Sequence, residues 1–99
     1  MSQYPPFLQE IKDMDPAFFG GITQIWDLAM TPGELDGKTK ILIALALDAL
    51  AGSREGVESV AALARKMGIK EGEINEALRL SYLVAANKAL DTFASAMRK

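Results

Sequence analysis

Cysteine and histidine are both absent from the 99 residues. Without a thiol there is no disulfide framework, no thiolate nucleophile and no sulfur ligand for a metal. Without an imidazole the usual proton carrier at neutral pH is gone, together with the commonest transition-metal ligand. A carboxylate-only site for magnesium or calcium is the metal chemistry left, and the Asp and Glu residues show no EF-hand spacing. No metal or cofactor is therefore expected. Long hydrophobic runs are missing as well. The longest apolar stretch, Ile41 to Ala51, is interrupted by Asp48 and falls short of the ~20 residues a membrane span needs. An excess of one charge is also lacking: 13 acidic residues stand against 11 basic ones, a net charge of -2. The Lys and Arg residues are scattered, whereas nucleic acid needs a basic face that releases counterions from phosphates. Neither nucleic acid nor membrane is an expected partner. Met1 to Pro6 contain no basic segment leading into an apolar one, so the expected location is the cytoplasm.

What remains is a chain with 49% hydrophobic residues, enough for one domain around one core and too short for two. The apolar residues recur at helical spacing, and no segment shows strand alternation with turn chemistry. The expectation is an all-α single domain, residues 1–99, built as a compact bundle of five to six helices.

The punctuation is explicit. A first short helix is expected over Pro6 to Met14. Asp15 caps a second, Pro16 fits its first turn, and Phe18, Phe19, Ile22, Ile25, Trp26, Ala29 and Met30 form its apolar side. Gly20-Gly21 within it costs about 1 kcal/mol per glycine relative to alanine, so the pair serves close packing or is a weak point. Asp36 caps a third helix from about Lys38 to Leu50. Its Ile41, Leu42, Ile43, Leu45, Ala46, Leu47 and Leu50 cover most of the circumference, which predicts burial on most sides, in the domain centre or in a subunit interface. Ser53 caps a fourth helix, where Val57, Val60, Leu63, Ala64 and Met67 form the apolar stripe and Gly68 the C-terminal cap. The last helix starts near Lys70 or Glu71. Its stripe runs through Ile74, Ala77, Leu78, Ser81, Tyr82, Ala85, Ala89, Phe93 and Met97, with a kink conceivable near Ala85-Ala86-Asn87.

Leu35-Asp36-Gly37-Lys38-Thr39-Lys40-Ile41-Leu42-Ile43-Ala44-Leu45-Ala46 resembles a helix opening of the carboxymuconolactone decarboxylase family, which includes the alkylhydroperoxidase D-like proteins: Leu-Asp-Pro-Lys-Thr-Arg-Glu-Leu-Ile-Ala-Leu-Ala. Ala62, Met67-Gly68-Ile69 and Glu73-Ile74 resemble a second segment of that family. Glu76-Ala77-Leu78 with Ala85-Ala86 and Ala89 resembles its last helix. The resemblance covers residues 35 to about 94, leaving helices within 6–30 outside it. It implies the alkylhydroperoxidase D-like helical fold. The redox branch of that family works with a glutamate, a Cys-x-x-Cys pair and a histidine: one thiolate attacks, the second resolves, and the carboxylate and imidazole manage the protons. Carried over by position, the glutamate is Ile41, the cysteines are Ser53 and Gly56, and the histidine is Val60. The resemblance thus implies a fold and contradicts a thiol peroxidase mechanism. The decarboxylase branch has a histidine near the Val60 position, which is missing too. Apolar filling contributes about 1.5–3 kcal/mol per buried aliphatic side chain, where an unpaired buried carboxylate would cost several.

Around these vestigial positions four residues are pocket candidates: Asp48, Arg54, Ser81 and Tyr82. Asp48 lies two turns after Ile41, on the same helix face. It reads either as a relocated acid or ligand anchor, or as a carboxylate at a helix end that is exposed or paired with Arg54. Arg54 and Glu55 at the fourth helix start read as an anion site or as a solvated terminus. Tyr82 and Ser81 read as pocket lining, or as core with the tyrosine hydroxyl satisfied. Trp26 with Phe18 and Phe19 reads as a ligand cage or as core or interface, and the five methionines as an adaptable surface or as core filling. The apolar surface exceeds one small core, and small members of the resembled family form dimers that assemble further. A homo-oligomer is expected, as a dimer-based hexamer with dihedral symmetry. Two functions follow. One is an oligomeric scaffold that binds a small apolar ligand or a protein partner. The alternative is an enzyme of altered chemistry, a lyase or isomerase using Asp48, Tyr82 or a lysine.

Overall fold

A computed structural model describes residues 4–98; the first three residues of the stretch read for an export signal lie outside them. All regular structure among the described residues is helical: α1 (Phe7–Met14), α2 (Pro16–Met30), α3 (Gly37–Ala51), α4 (Arg54–Lys66), α5 (Glu71–Ala94) and a closing 3-10 turn at Ser95–Met97. The five helices are those expected, with boundaries shifted by a residue or so.

The helix starts follow from local chemistry. The side-chain oxygens of Asp15, Asp36 and Ser53 accept from the backbone N–H of Phe18, Thr39 and Gly56 at 3.1, 2.7 and 3.1 Å. Each satisfies a backbone donor that a helix start leaves unpaired. At the α5 start the Glu73 carboxylate reaches back to the Lys70 N–H at 3.2 Å. Two helix ends need glycine: Gly52 after α3 has φ +77° and Gly68 after α4 has φ +81°. Both lie in the left-handed region, where a side chain is strained. α5 runs unbroken through residues 85–87.

The chain forms two units, residues 1–33 and 34–99. In the first, α1 packs on α2, and among its described residues Leu8 is the one buried side chain. Tyr4 donates its hydroxyl to Asp27 at 2.9 Å and meets Phe19 and Trp26 edge-on, with ring centres 6.3 and 6.2 Å away. Phe18 stands apart from this aromatic group and is exposed, so the three expected aromatics form no cage. An added Cβ at Gly20 or Gly21 would meet open space. The glycine pair therefore serves no close packing among the described residues of one chain.

In the second unit α3 lies against both α4 and α5. Its core is Ile41, Leu45, Ala61, Ala64, Ile69, Ile74 and Ala77. Two expectations change here. α4 turns Ala61 and Ala64 inward, with Val57 and Val60 half-buried, while Leu63 and Met67 are exposed. The inward positions are spaced 3, 1 and 3 apart, a single face; Leu63 and Met67 fall on its flank. α3 is covered on two sides only, so Ile43, Leu47 and Leu50 form an exposed line along it. Their 4 and 3 spacing places all three on one face.

Candidate functional site

Of the four positions carried over from the resemblance, Ser53 and Gly56 lie where α3 ends and α4 begins, whereas Ile41 is near the start of α3 and Val60 is midway along α4. α3 carries Ile41, Leu45 and Asp48 on one face. Gly52 then turns the chain through its left-handed conformation, and the Ser53 N–H donates to the Asp48 carbonyl at 2.9 Å. That short turn returns α4 along α3, so the first turn of α4 abuts the last turn of α3. A Cβ placed on Gly56 would lie 2.7 Å from Cγ and from Oδ2 of Asp48, and 2.7 Å from Oγ of Ser53. A real Cβ does not approach other atoms that closely, so a side chain at position 56 requires the ends of the Asp48 and Ser53 side chains to shift. The Asp48 carboxylate thus occupies the space that a side chain at position 56 would need, and the Ser53 hydroxyl is engaged as a helix cap.

The neighbouring positions are filled as well. Ile41 is 5% exposed and belongs to the core; Val60 is half-buried on the inward face of α4. A polar group at either place would lose water without a partner, whereas an aliphatic one gains from burial. Asp48 itself is half-buried. Among the described residues no ion pair joins it to Arg54. Asp48 does lie in the last turn of α3, where its carboxylate stands beside Gly56 at the start of α4.

Of the other candidates, Arg54 lines an open hollow of about 320 Å³ with Ala49, Gly52, Ser53, Val57 and Glu58. Ser81 and Tyr82 line neither this hollow nor the groove described next. Ser81 is half-buried and donates its hydroxyl to the Leu78 carbonyl at 2.7 Å. Tyr82 is 76% exposed, which overturns its expected place in the core. The inward positions of α5 are Ile74, Ala77 and Ser81, and each further residue turns by ~100°, so Tyr82 is carried off that face.

A second concavity was not legible in the sequence. It is a groove of about 380 Å³ between α3 and α5, lined by Thr39, Leu42, Ile43, Ala46 and Leu47 on one side and by Glu73, Glu76, Ala77 and Leu80 on the other. The signal was present in Leu47 and Leu80, which lie off the inward stripes of their helices. Glu73 is neutralised within this groove: Lys38 pairs with it, and the Lys38 contact and the Lys70 N–H hold its carboxyl below the usual range. Thr39 does the same for Asp36 by hydrogen bonding. Arg65 holds Glu71 low through a two-pronged contact, 3.0 Å from Nε to Oε2 and 3.0 Å from Nη2 to Oε1. Among the described residues no three carboxylates converge as a metal site, and no helix is long and apolar enough to cross a membrane.

Residues 16–99 match the pattern of the carboxymuconolactone decarboxylase family, so the match extends through α2 and beyond the stretch 35–94. The fold is similar to the crystal structure of a protein from Methanobacterium thermoautotrophicum, with a TM-score of 0.80 and 26% identity over 93% of this chain and 99% of that one. No curated protein matches in sequence.

Proposed function

The chain belongs to the carboxymuconolactone decarboxylase family, and from that premise we propose that it is a member without thiol peroxidase activity. In this reading it is an oligomeric scaffold that binds a small apolar ligand or a partner protein. The observation that carries the reading is the contact at Gly56. Where the redox branch requires a second thiol, the Asp48 carboxylate fills the space. Ser53 is a cap, and Ile41 and Val60 are packed. No cysteine or histidine elsewhere in the 99 residues supplies the missing groups. The test is peroxide consumption with a dithiol reductant. The rate is expected to equal that without protein; a protein-dependent rate overturns the reading.

Self-association is supported by the apolar side chains left exposed on α2, α3 and α5, among them Phe18, Ile25, Leu28, Leu47, Leu80 and Phe93. A small monomer rarely leaves so many apolar side chains in water. The proposed state is a hexamer of dihedral symmetry assembled from dimers, in the cytoplasm. Light scattering at micromolar concentration checks it, and a monomer mass refutes it. The hollow beside Ser53, with Ala49, Gly52 and Val57 in its wall and Arg54 at hand, suits a small ligand that is mostly apolar.

A second reading has one observation in its favour: a carboxylate, Asp48, stands at the vestigial site against Gly56 and Ser53. It makes the protein an enzyme of altered chemistry, a lyase or isomerase, with Asp48 as acid or base. Asp48→Asn then abolishes turnover of a substrate found by screening while leaving the helical circular dichroism unchanged. Equal turnover by the variant discards this second reading.

A further inference from the structure

α5 has a second apolar face. Its inward positions, Ile74, Ala77 and Ser81, pack toward α3. On the other side Leu80, Leu83, Asn87, Leu90 and Ala94 follow one another at spacings of 3, 4, 3 and 4, and Met97 comes three residues later in the closing 3-10 turn. That is the repeat by which two helices interlock side chains along a seam. No charged residue occupies any of these positions, and all of them are exposed. The stripe spans about 25 Å. At its N-terminal end Leu80 is shared with the groove between α3 and α5, so the apolar surface continues through Ala77 and Leu47 to Leu42 and Ile43.

The geometry points to this face as the dimer contact, occupied by α5 of a second copy running antiparallel. The inference rests on the homo-oligomer reading above and names the partner surface. The stripe is complementary to its own reverse. A two-fold axis between Asn87 and Leu90 sets Leu80 opposite Met97, Leu83 opposite Ala94, Val84 opposite Phe93, and Asn87 opposite Leu90. Leu83 thus meets the small Ala94 and Phe93 the smaller Val84, the polar Asn87 falls beside the axis, and each contact occurs twice, as an isologous interface requires. A parallel pairing would set Ala94 against Ala94 and leave the groove empty. In the antiparallel one, Met97 of each copy reaches the groove end of the other at Leu80, and an unbranched thioether adapts to such a recess.

The area is sufficient. Leu80, Leu83, Val84, Leu90, Phe93 and Met97 are 52–82% exposed. Together they present on the order of 600 Å² of apolar side chain, against about 800 Å² per partner in a standard interface. The groove, which shares Leu80 with the stripe, adds to it from α3.

Because the natural chain has no cysteine, a cross-link reads out the pairing directly. In the full chain carrying Leu80→Cys and Met97→Cys, mild oxidation is expected to give a covalent dimer whose linked peptides join position 80 to position 97. These two positions are about 25 Å apart along one helix, so an 80–97 disulfide must be intermolecular. Links only between like positions, or no covalent dimer, overturn the proposal. As a second measurement, Leu83→Glu combined with Leu90→Glu is expected to lower the mass in light scattering at least twofold with helical content kept. If the wild type is oligomeric and this variant keeps its mass, or if Ile25→Glu with Leu28→Glu on α2 dissociates it instead, the α5 contact is wrong and self-association stands. A monomeric wild type removes both.

Discussion

The two units of the chain treat the same kind of side chain in opposite ways. In residues 4–33, α2 has 15 residues and not one is buried; Phe18, Ile25 and Leu28 face outward. In residues 34–98, α3 also has 15 residues, but Ile41 and Leu45 are sealed between α4 and α5. Intrinsic hydrophobicity does not separate them, since both helices are rich in apolar residues. What separates them is the number of partners: α3 has two helices against it, whereas within its unit α2 has only the short α1. A core is therefore a property of arrangement, and apolar composition alone only creates the demand for one.

The largest test of this contrast is truncation. Leu45 is fully buried, so Leu45→Ala is expected to cost about 2–5 kcal/mol in urea denaturation. Leu28→Ala, at an 81% exposed position, is expected to change the stability of the folded chain by less than about 0.5 kcal/mol. Equal costs would erase the distinction between the units.

Glycines give a sharper comparison of smaller size. Gly21 lies in a helix facing open space, so Gly21→Ala is expected to stabilise by about 1 kcal/mol through helix propensity and reduced unfolded-state freedom. Gly56→Ala meets Asp48 and the Ser53 cap, and displacing the cap offsets that same gain by about 1 kcal/mol. Made in an Asp48→Ala background, Gly56→Ala is expected to recover part of the gain. A double-mutant cycle in thermal unfolding measures the coupling, and additivity would mean that the two side chains do not compete for space.

Acidification produces the smallest effect. Asp36, Glu71 and Glu73 in the second unit have carboxyls held below their ordinary values by hydrogen bonds from Thr39, Arg65 and Lys38 respectively. The unfolded chain then binds protons at a higher pH than the folded one. The stability they contribute is present above the ordinary values near pH 4 and is lost as pH falls through the lowered ones. All three are surface groups, so the expected loss is slight. A pH series of unfolding midpoints from 6 to 3 should fall only below about pH 4.5, and a fall above pH 5 would point to a different group.

Much of this fold was legible because its signals are local. Asp15, Asp36 and Ser53 each cap the helix their sequence position announced, and the left-handed Gly68 ends α4 where expected. The faces were less legible. On α4 and α5 apolar residues occur on more than one side, so periodicity shows that a stripe exists without showing which side the same chain covers. Leu63, Met67 and Tyr82 are exposed for that reason. At the site, the shared face of Ile41 and Asp48 follows from spacing within one helix. The meeting of Asp48 with Gly56 depends on the turn at Gly52, which joins two helices, and no periodicity within either one reports it.

That meeting also ties two helices to one position. Any residue larger than glycine at 56 asks the Asp48 carboxylate and the Ser53 hydroxyl to move aside, and the hydroxyl cannot move without giving up its hold on the start of α4. A change at position 56 is thus felt by the end of α3 and by the cap of α4 together, and glycine is the residue that leaves both undisturbed.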